Sequence, residues 1–142
     1  MKYIKRIHSQ LDSTVKYIFK TEDGLIVEFS YINKNDGKDI ICISCQSMCN
    51  VGCKFCHTTD YIGKIKLRNL SSFEMNSGVE YIYNELKLSE YHRVLLISFM
   101  GCGEPILNVD NIVETMNHIK NADWNESSLT RFAIATSIPK YK

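Results

Sequence analysis

Runs of apolar residues separated by a turn predict three strands in the N-terminal part of the chain. Residues 16–20 and 25–32, within "VKYIFKTEDGLIVEFSYI", form two extended runs around a Glu-Asp-Gly turn. Residues 39–44, "DIICIS", form a third short run. The pattern therefore predicts an N-terminal β-hairpin and then a strand that leads directly into a cysteine-rich loop.

Two later segments have the helical spacing of apolar residues. In the first segment, residues 71–87, Ser71 and Glu74 have the separation of a capping box. The apolar face of this helix consists of Val79, Ile82, Tyr83 and Leu86. Asp110 is the expected N-cap of the second helix. The apolar face of the second helix consists of Ile112, Val113, Met116 and Ile119.

Two further apolar runs, residues 94–100, "VLLISFM", and residues 131–137, "RFAIATS", predict strands that are buried on both faces. Strand, loop and helix then alternate, which predicts an α/β fold with right-handed βαβ units and a parallel sheet. Chemistry is expected in the loops that follow the carboxyl ends of such strands. Both unusual motifs, the cysteine loop and "GCGEP", lie there.

Composition and charge narrow the class of protein. The 142 residues fit one domain, and the 44% hydrophobic content is sufficient for a core. The net charge of +1 favours neither nucleic acid nor a membrane surface as a partner. No apolar run is long enough to span a membrane, and the first residues lack the apolar core of a secretory signal, so a cytoplasmic location is expected.

Five of the six cysteines fall within residues 42–56. In a cytoplasmic protein, clustered thiols more often bind metal or carry out redox chemistry than form disulfides. Zinc is one candidate, although its usual second CxxC pair does not follow, and small buried core residues are another. Cys49, Cys53 and Cys56 have the spacing CxxxCxxC. Three thiolates on one loop suit a [4Fe-4S] cluster that keeps one iron free.

This spacing resembles that of the radical S-adenosylmethionine (SAM) enzymes, in which the free iron binds the amino and carboxylate groups of SAM. The wider segment "CISCQSMCNVGCKFCHT" resembles "CVSSQxGCxxxCxFCxT" of the radical SAM adenine methyltransferases that act on 23S rRNA at adenine C2 or C8. "FMGCGEPILNVDNI" resembles their "MMGMGEPLLNxxNV", and "DGLIVEFSYI" resembles "DGxxIETVxIP". The resemblance extends from about Tyr17 to Ser137.

The resemblance implies a partial (β/α)6 radical SAM barrel, with an N-terminal β-hairpin followed by three βα units. Residues 1–38 would be N-terminal strands and a remnant of an accessory region, and residues 39–142 the N-terminal half of the radical SAM core. Family members continue through three more βα units to the cysteine that carries the transferred methyl group. The chain is therefore expected to be incomplete for methyl transfer on its own, either as a fragment or as a short homologue.

The resemblance also assigns roles to individual residues. The three cysteines of the CxxxCxxC segment are the expected cluster ligands. Phe55 is expected to shield the cluster and to contact the adenine end of SAM through its backbone. Gly103 and Glu104 match the residues that hold the methionine amino group, a task that suits a carboxylate. For Glu104, an ordinary surface carboxylate at a strand end is the alternative.

Two further residues match family positions with catalytic roles. Cys42 matches the cysteine that resolves the covalent enzyme-RNA intermediate by forming a disulfide. From the sequence alone, a buried strand cysteine is the alternative. Glu28 matches an acidic residue considered as a proton acceptor, and a solvated strand glutamate is the alternative.

Four positions depart from the family pattern. Ala135 replaces a serine that helps to bind SAM, and Ile138 replaces a turn glycine, so weaker cofactor binding is expected. Cys45 and Cys102 stand where the family usually has serine and methionine. Neither of these cysteines is assigned a catalytic role.

The function implied by the resemblance is reductive cleavage of SAM to a 5′-deoxyadenosyl radical, followed by methyl transfer to an adenine carbon of RNA. The implied partners are RNA (rRNA or tRNA), an electron donor such as flavodoxin or ferredoxin, and a chain that supplies the second half of the barrel. A membrane is not expected as a partner. Two alternatives stay open: a non-enzymatic iron-sulfur or zinc-binding module, and a radical SAM enzyme acting on another substrate.

Overall fold

A six-stranded sheet in the order β1-β2-β3-β4-β5-β6 forms the centre of the fold. The computed structural model describes residues 1–91, 93–126 and 129–138. The strands are Lys2–His8 (β1), Val15–Lys20 (β2), Ile26–Lys34 (β3), Lys38–Cys42 (β4), Val94–Phe99 (β5) and Arg131–Ile134 (β6). The helices are Ser72–Glu85 (α1) and Val109–Asn121 (α2), and short 3-10 helices span His57–Tyr61, Leu88–Tyr91 and Pro105–Asn108.

The sheet changes from antiparallel to parallel pairing at β4. Strands β1 to β4 pair antiparallel in sequence order, whereas β4 with β5 and β5 with β6 are parallel. The predicted hairpin of β2 and β3 is confirmed, with Tyr17 opposite Phe29. The parallel pairs, with α1 and α2 between their strands, confirm the α/β class. The helix of the predicted third βα unit would follow Ile138 and lies outside the described residues.

Both predicted helices are present. α1 has the predicted reciprocal capping box between Ser71 and Glu74. The prediction that Asp110 caps α2 is wrong, because Pro105–Asn108 already forms a 3-10 turn and Asn108 takes the N-cap position. Asp110 lies in the first turn instead, where its charge suits the helix dipole. No helix in the described ranges is long and apolar enough to cross a membrane.

The two helices pack on one face of the sheet and form the hydrophobic core with it. The largest fully buried side chains are Tyr17, Phe19, Phe29, Phe99, Ile41, Ile43, Leu70, Met75, Ile82, Ile97, Ile112 and Ile119. α1 approaches the sheet at Gly78, where a Cβ would lie 2.3 Å from the Phe29 ring. The register of the strands is set by this apolar face, since a shift by one residue would expose it to water.

The opposite face of the sheet is more polar. A row of directly paired residues crosses it from β2 to β6 and consists of Lys16, Ser30, Cys42, Ser98 and Ala133. Paired residues on neighbouring strands point to the same side of a sheet, so these side chains share one face. This face carries the candidate site.

Three details differ from the sequence expectation. β1 is a strand that the apolar pattern does not predict, because it is an edge strand whose residues are mostly exposed. β6 is shorter than the predicted strand 131–137 and is not buried, because it forms the other edge of the described sheet. On α2, Ile112 and Ile119 are buried as predicted, whereas Val113 is 47% exposed.

Candidate functional site

A cavity of about 670 Å³ opens on the polar face of the sheet. One wall is the β2–β3 hairpin, the floor lies at the carboxyl ends of β4 and β5, and the other wall is the 3-10 helix after the cysteine loop. The lining includes Lys16, Glu28, Ser30, Cys42, Ser44, His57, Thr58, Tyr61, Ile65 and Cys102. The structure therefore brings the two residues with predicted catalytic roles, Cys42 and Glu28, to one cavity.

Ser44 connects the wall of the cavity to its floor. Its hydroxyl donates a hydrogen bond to the Glu28 carbonyl at 2.7 Å and accepts one from Cys102 N at 2.9 Å. The Glu28 carboxylate forms an ion pair with Lys16, with 2.8 Å between Oε2 and Nζ. Both side chains of this pair are about half exposed, so Glu28 is accessible from the cavity.

Cys42 ends β4 and contributes a free thiol to the floor. Burial raises the pKa of this thiol, and a hydrogen bond with the Met100 backbone offsets part of the rise. Burial therefore favours the protonated form of the Cys42 thiol. Deprotonation of Cys42 would need a base or a change in its surroundings.

The predicted metal-ligating cysteines lie on the loop that follows β4, where the backbone turns tightly. Cys56 N donates a hydrogen bond to the Cys53 carbonyl at 2.9 Å, and Thr59 Oγ1 donates to the same carbonyl at 2.8 Å. Gly52 has a φ of 75°, a conformation that favours glycine, so the turn before Cys53 depends on this residue. All three thiols, including that of Cys49, are free and partly buried.

Cys53 and Cys56 both lie close enough to Cys49 to influence its pKa. Burial raises the pKa of Cys49, and the neighbouring Cys56 and Cys53 add to the rise. Burial also raises the pKa of Cys102 to about 11, again with contributions from Cys49 and Cys56. Within the described ranges, no three His, Cys, Asp or Glu side chains converge on a position for a single metal ion.

Glu104 follows β5 and is only 4% exposed, so it is not a surface carboxylate. Its Oε2 accepts hydrogen bonds from Ser137 N at 2.9 Å and Ser137 Oγ at 2.7 Å. Its Oε1 accepts from the Thr136 hydroxyl and from Ile106 N. Burial alone would raise the pKa of Glu104, but these hydrogen bonds lower it below its ordinary value. An ionised carboxylate is therefore held between the ends of β5 and β6.

Gly103 lets the loop after β5 lie directly against the cysteine-rich segment. Its φ is 112°, and a Cβ at this position would lie 2.8 Å from Cys45 Sγ and from Gln46 N. Cys45 N and Gln46 N both donate hydrogen bonds to the Cys102 carbonyl, at 3.0 and 3.2 Å. The "GCGEP" segment and the start of the cysteine loop therefore form one structural unit.

Gln46 and Asn108 position the site, although the sequence motifs do not by themselves indicate a role for them. Gln46 Oε1 accepts a hydrogen bond from Glu104 N at 2.9 Å. Asn108 Nδ2 donates to the carbonyls of Cys45 at 2.7 Å and Leu70 at 2.8 Å. Both residues belong to the two motifs that carry the resemblance, which is the signal that could have found them.

The donor set fits an iron-sulfur cluster better than a single metal ion. Three thiols on one loop are the ligands that such clusters require, and each thiolate of a cluster binds a separate iron, so the ligands need not converge on one point. The Phe55 side chain is 94% exposed beside the last of these cysteines. Its expected contacts with the cluster and with SAM stay a prediction.

Comparison with known proteins gives several relatives that match nearly all of the chain. No family model matches. The probable dual-specificity RNA methyltransferase RlmN of Finegoldia magna is 36% identical over 133 residues, which are 94% of this chain and 36% of that protein. The protein of the same name from Lachnoclostridium phytofermentans is 36% identical over 141 residues, 98% of this chain and 37% of the relative. The chain thus spans little more than a third of the length of these relatives.

A solved structure gives the same result at the level of the fold. The crystal structure of a radical SAM methyltransferase from Sphaerobacter thermophilus matches 96% of this chain and 38% of its own chain, with a TM-score of 0.79 and 27% sequence identity. The likeness in fold therefore extends over nearly the whole chain. By sequence and by fold, the chain belongs to the radical SAM methyltransferase family that includes the RlmN-type RNA methyltransferases.

Proposed function

We propose that the chain is a radical SAM protein that binds a [4Fe-4S] cluster and SAM at the carboxyl ends of β4 and β5. The observation that carries this proposal is the position of three free thiols, Cys49, Cys53 and Cys56, on a loop joined by hydrogen bonds to the "GCGEP" segment. Thiolates are the usual ligands of such clusters. When bound, the cluster supplies the electron for reductive cleavage of SAM.

Glu104 is the proposed ligand of the methionine amino group of SAM. A buried, ionised carboxylate is a strong acceptor for an ammonium group, and Glu104 is both buried and lowered in pKa. To bind the ammonium it shares or releases the hydrogen bonds from Thr136 and Ser137. Gly103 supports this role because it has no side chain to separate Glu104 from the cysteine loop. Phe55 is proposed to shield the cluster and to meet the adenine end of SAM.

Cys42 and Glu28 are the proposed catalytic residues on the substrate side. Both line the cavity, and Ser44 and the ion pair with Lys16 hold Glu28 in place there. Glu28 is proposed to accept a proton from the substrate. Cys42 is proposed to supply the thiol that resolves the covalent enzyme-RNA intermediate, since it faces the same space from the floor.

The larger assembly and the partners are proposed by resemblance to the family. We propose that residues 39–142 are the N-terminal half of a (β/α)6 radical SAM core and that residues 1–38 are N-terminal strands with a remnant of an accessory region. RNA (rRNA or tRNA) is the proposed substrate, since the RlmN relatives are named as RNA methyltransferases. Flavodoxin or ferredoxin is the proposed electron donor, and the cytoplasm the proposed location.

Methyl transfer is proposed to need more than these 142 residues. The chain matches only 36% and 37% of the length of the two RlmN relatives described above. A chain that supplies the rest of the barrel is a further proposed partner, as the family resemblance implies. The 142-residue chain alone is expected to cleave SAM without transferring a methyl group to RNA.

Anaerobic reconstitution followed by iron and sulfide analysis tests the proposal. The expected result is about four irons and acid-labile sulfide per chain. Cys53→Ala should lose the cluster, whereas Cys45→Ala, which changes a neighbouring cysteine outside the proposed ligand set, should keep it. Stoichiometric zinc without sulfide would contradict the proposal and would support a zinc-binding module.

A further inference from the structure

The segment that forms the outer wall of the cavity has features that the proposed cofactor site does not use. We call residues 57–65 the rim segment. Its first part is the 3-10 helix His57–Tyr61, and four of its residues line the cavity: His57, Thr58, Tyr61 and Ile65. The rim segment is therefore the boundary between solvent and the cavity that contains Cys42 and Glu28.

The rim segment is anchored at both ends, so its outer surface has a fixed position. At its start, Thr59 Oγ1 donates a hydrogen bond to the Cys53 carbonyl at 2.8 Å. Directly after its end, the Lys66 carbonyl accepts a hydrogen bond from Ser47 Oγ at 2.8 Å, and Arg68 N donates to the same hydroxyl at 2.9 Å. A surface that is held in this way loses little conformational freedom when a ligand binds.

The exposed surface of the rim segment is aromatic and apolar. Tyr61 is 40% exposed and its ring lies edge-on to His57, with 5.3 Å between the ring centroids. Ile65 is 44% exposed, and Ile26 on the opposite wall of the cavity is 53% exposed. A flat ligand that reaches the mouth of the cavity therefore finds an exposed aromatic ring at Tyr61 and exposed apolar side chains in the same cavity lining.

Positive charge accompanies these rings. Lys64 Nζ lies 5.9 Å from the centroid of the Tyr61 ring. Among the residues that the structure describes, Lys64 forms no ion pair, whereas the acidic Asp60 of the same segment lies 3.7 Å from His57. A cation beside an exposed ring suits a ligand with both a π-face and an adjacent negative charge, as a nucleotide has.

We propose that the rim segment is a docking platform for single-stranded RNA, in which Tyr61 stacks under one base and Lys64 binds a neighbouring phosphate. The proposal rests on the proposed function, in which RNA is the substrate. RNA is favoured over an acidic electron-donor protein because Tyr61 and Ile65 line the same cavity as Glu28 and Cys42. A strand bound at the rim can thus place its next base in the cavity.

Fluorescence anisotropy with a short fluorescein-labelled, adenine-rich single-stranded RNA tests this platform on the reconstituted protein. Tyr61→Ala is expected to weaken binding about fivefold or more, and Tyr61→Phe, which keeps the ring, less than about twofold. Lys64→Ala is expected to lower the slope of log affinity against log salt by about 0.7, the effect of one phosphate contact on a single strand.

Two exposed residues remote from the cavity provide matched controls. Phe73 is 71% exposed on α1, and Lys120 lies in the last turn of α2. Phe73→Ala and Lys120→Ala should leave both the affinity and the salt slope unchanged. If Tyr61→Ala behaves like Phe73→Ala, or if Tyr61→Phe loses as much affinity as Tyr61→Ala, the platform is overturned while the proposed function stands.

The two proposals fail in distinguishable ways. If the wild-type protein does not bind the RNA, the assignment of RNA as substrate fails, and the platform fails with it. Iron and sulfide content, measured on the same sample, then shows whether the cluster assignment survives. If the rim variants keep RNA affinity but lose binding of reduced flavodoxin, the rim segment is a docking surface for the electron donor and the RNA platform is wrong.

Discussion

Ser137 donates two hydrogen bonds to the same oxygen of Glu104, one from its backbone N at 2.9 Å and one from its hydroxyl at 2.7 Å. Glu104 follows β5 and Ser137 follows β6, so this contact ties together the carboxyl ends of two parallel strands. Glu104 therefore has a structural role in addition to its proposed role in binding SAM. The two roles can be separated by substitution.

Glu104→Gln is expected to weaken SAM binding about tenfold or more, because the amide keeps the shape of the side chain but removes the charge that attracts the ammonium group. Ser137→Ala is the matched control. It removes one hydrogen bond to the same carboxylate and leaves the charge in place, so it should cost about 1–2 kcal/mol of unfolding free energy without weakening SAM binding. Calorimetric titration and urea unfolding measure the two effects, and equal losses of SAM affinity would contradict the proposed role.

Ala135→Ser is expected to tighten SAM binding. By resemblance to the family, a serine at this position contributes one hydrogen bond to SAM, and one such bond corresponds to about a two- to tenfold change in affinity. Ala122→Ser, at the end of α2, adds the same hydroxyl away from the site and should have no effect. Calorimetry that shows no difference between the two variants would remove Ala135 from the cofactor site.

Gly103→Ala is expected to destabilise the protein more than Gly37→Ala. Both glycines have a positive φ, 112° for Gly103 and 88° for Gly37, so both substitutions strain the backbone by about 1 kcal/mol or more. A Cβ on Gly103 would also lie 2.8 Å from Cys45 Sγ, whereas a Cβ on Gly37 would meet nothing within 4 Å. Thermal unfolding of the two variants should therefore give a larger decrease in Tm for Gly103→Ala. Equal decreases in Tm would mean that the loop after β5 moves to accommodate the added methyl group without further loss of stability.

Local patterns predicted most of the elements, because the information lies within a few residues. The capping box of Ser71 and Glu74 is a contact across one helical turn, and it starts α1 as predicted. The buried strand β5 was recognisable from its continuous apolar run. β1 was not, because most of its residues are exposed and its pairing with β2 leaves no alternating apolar pattern in the sequence.

Local sequence patterns did not predict contacts between residues that are far apart in the sequence. Asp39 is 2% exposed and is held by Arg93 at 3.1 Å and by the Tyr31 hydroxyl at 2.8 Å, which joins β3, β4 and the residue before β5. The Glu104–Ser137 contact is of the same kind. The motifs identified the residues of the site, but which of them share a hydrogen bond depends on how the strands are ordered in the sheet.

The ion-pair network around Arg68 gives a prediction for pH. The Arg68 guanidinium donates hydrogen bonds to both Asp23 and Glu74, and these bonds lower the pKa of each carboxyl group below its ordinary value. When folding lowers the pKa of a carboxyl group, that group stabilises the folded protein at pH values above its pKa in the unfolded chain. The stabilisation is lost as the pH falls through the pKa of the group in the folded protein. The ordinary pKa values of these two groups are 3.8 and 4.5.

Arg68→Met keeps most of the apolar stem and removes the guanidinium. The variant is therefore expected to be less stable than the wild type at pH 7, where both carboxylates are ionised, and the difference should narrow as the pH falls below about 4. Arg131→Met is the control, because the Arg131 side chain donates to the Thr130 carbonyl and forms no ion pair among the described residues. Urea unfolding at pH 7 and at about pH 3 measures the difference. The contrary result is a difference in unfolding free energy between the wild type and Arg68→Met that is the same at both pH values. That result would show that Arg68 acts through packing and through its other hydrogen bond, to the Asn69 carbonyl, and not through the two carboxylates.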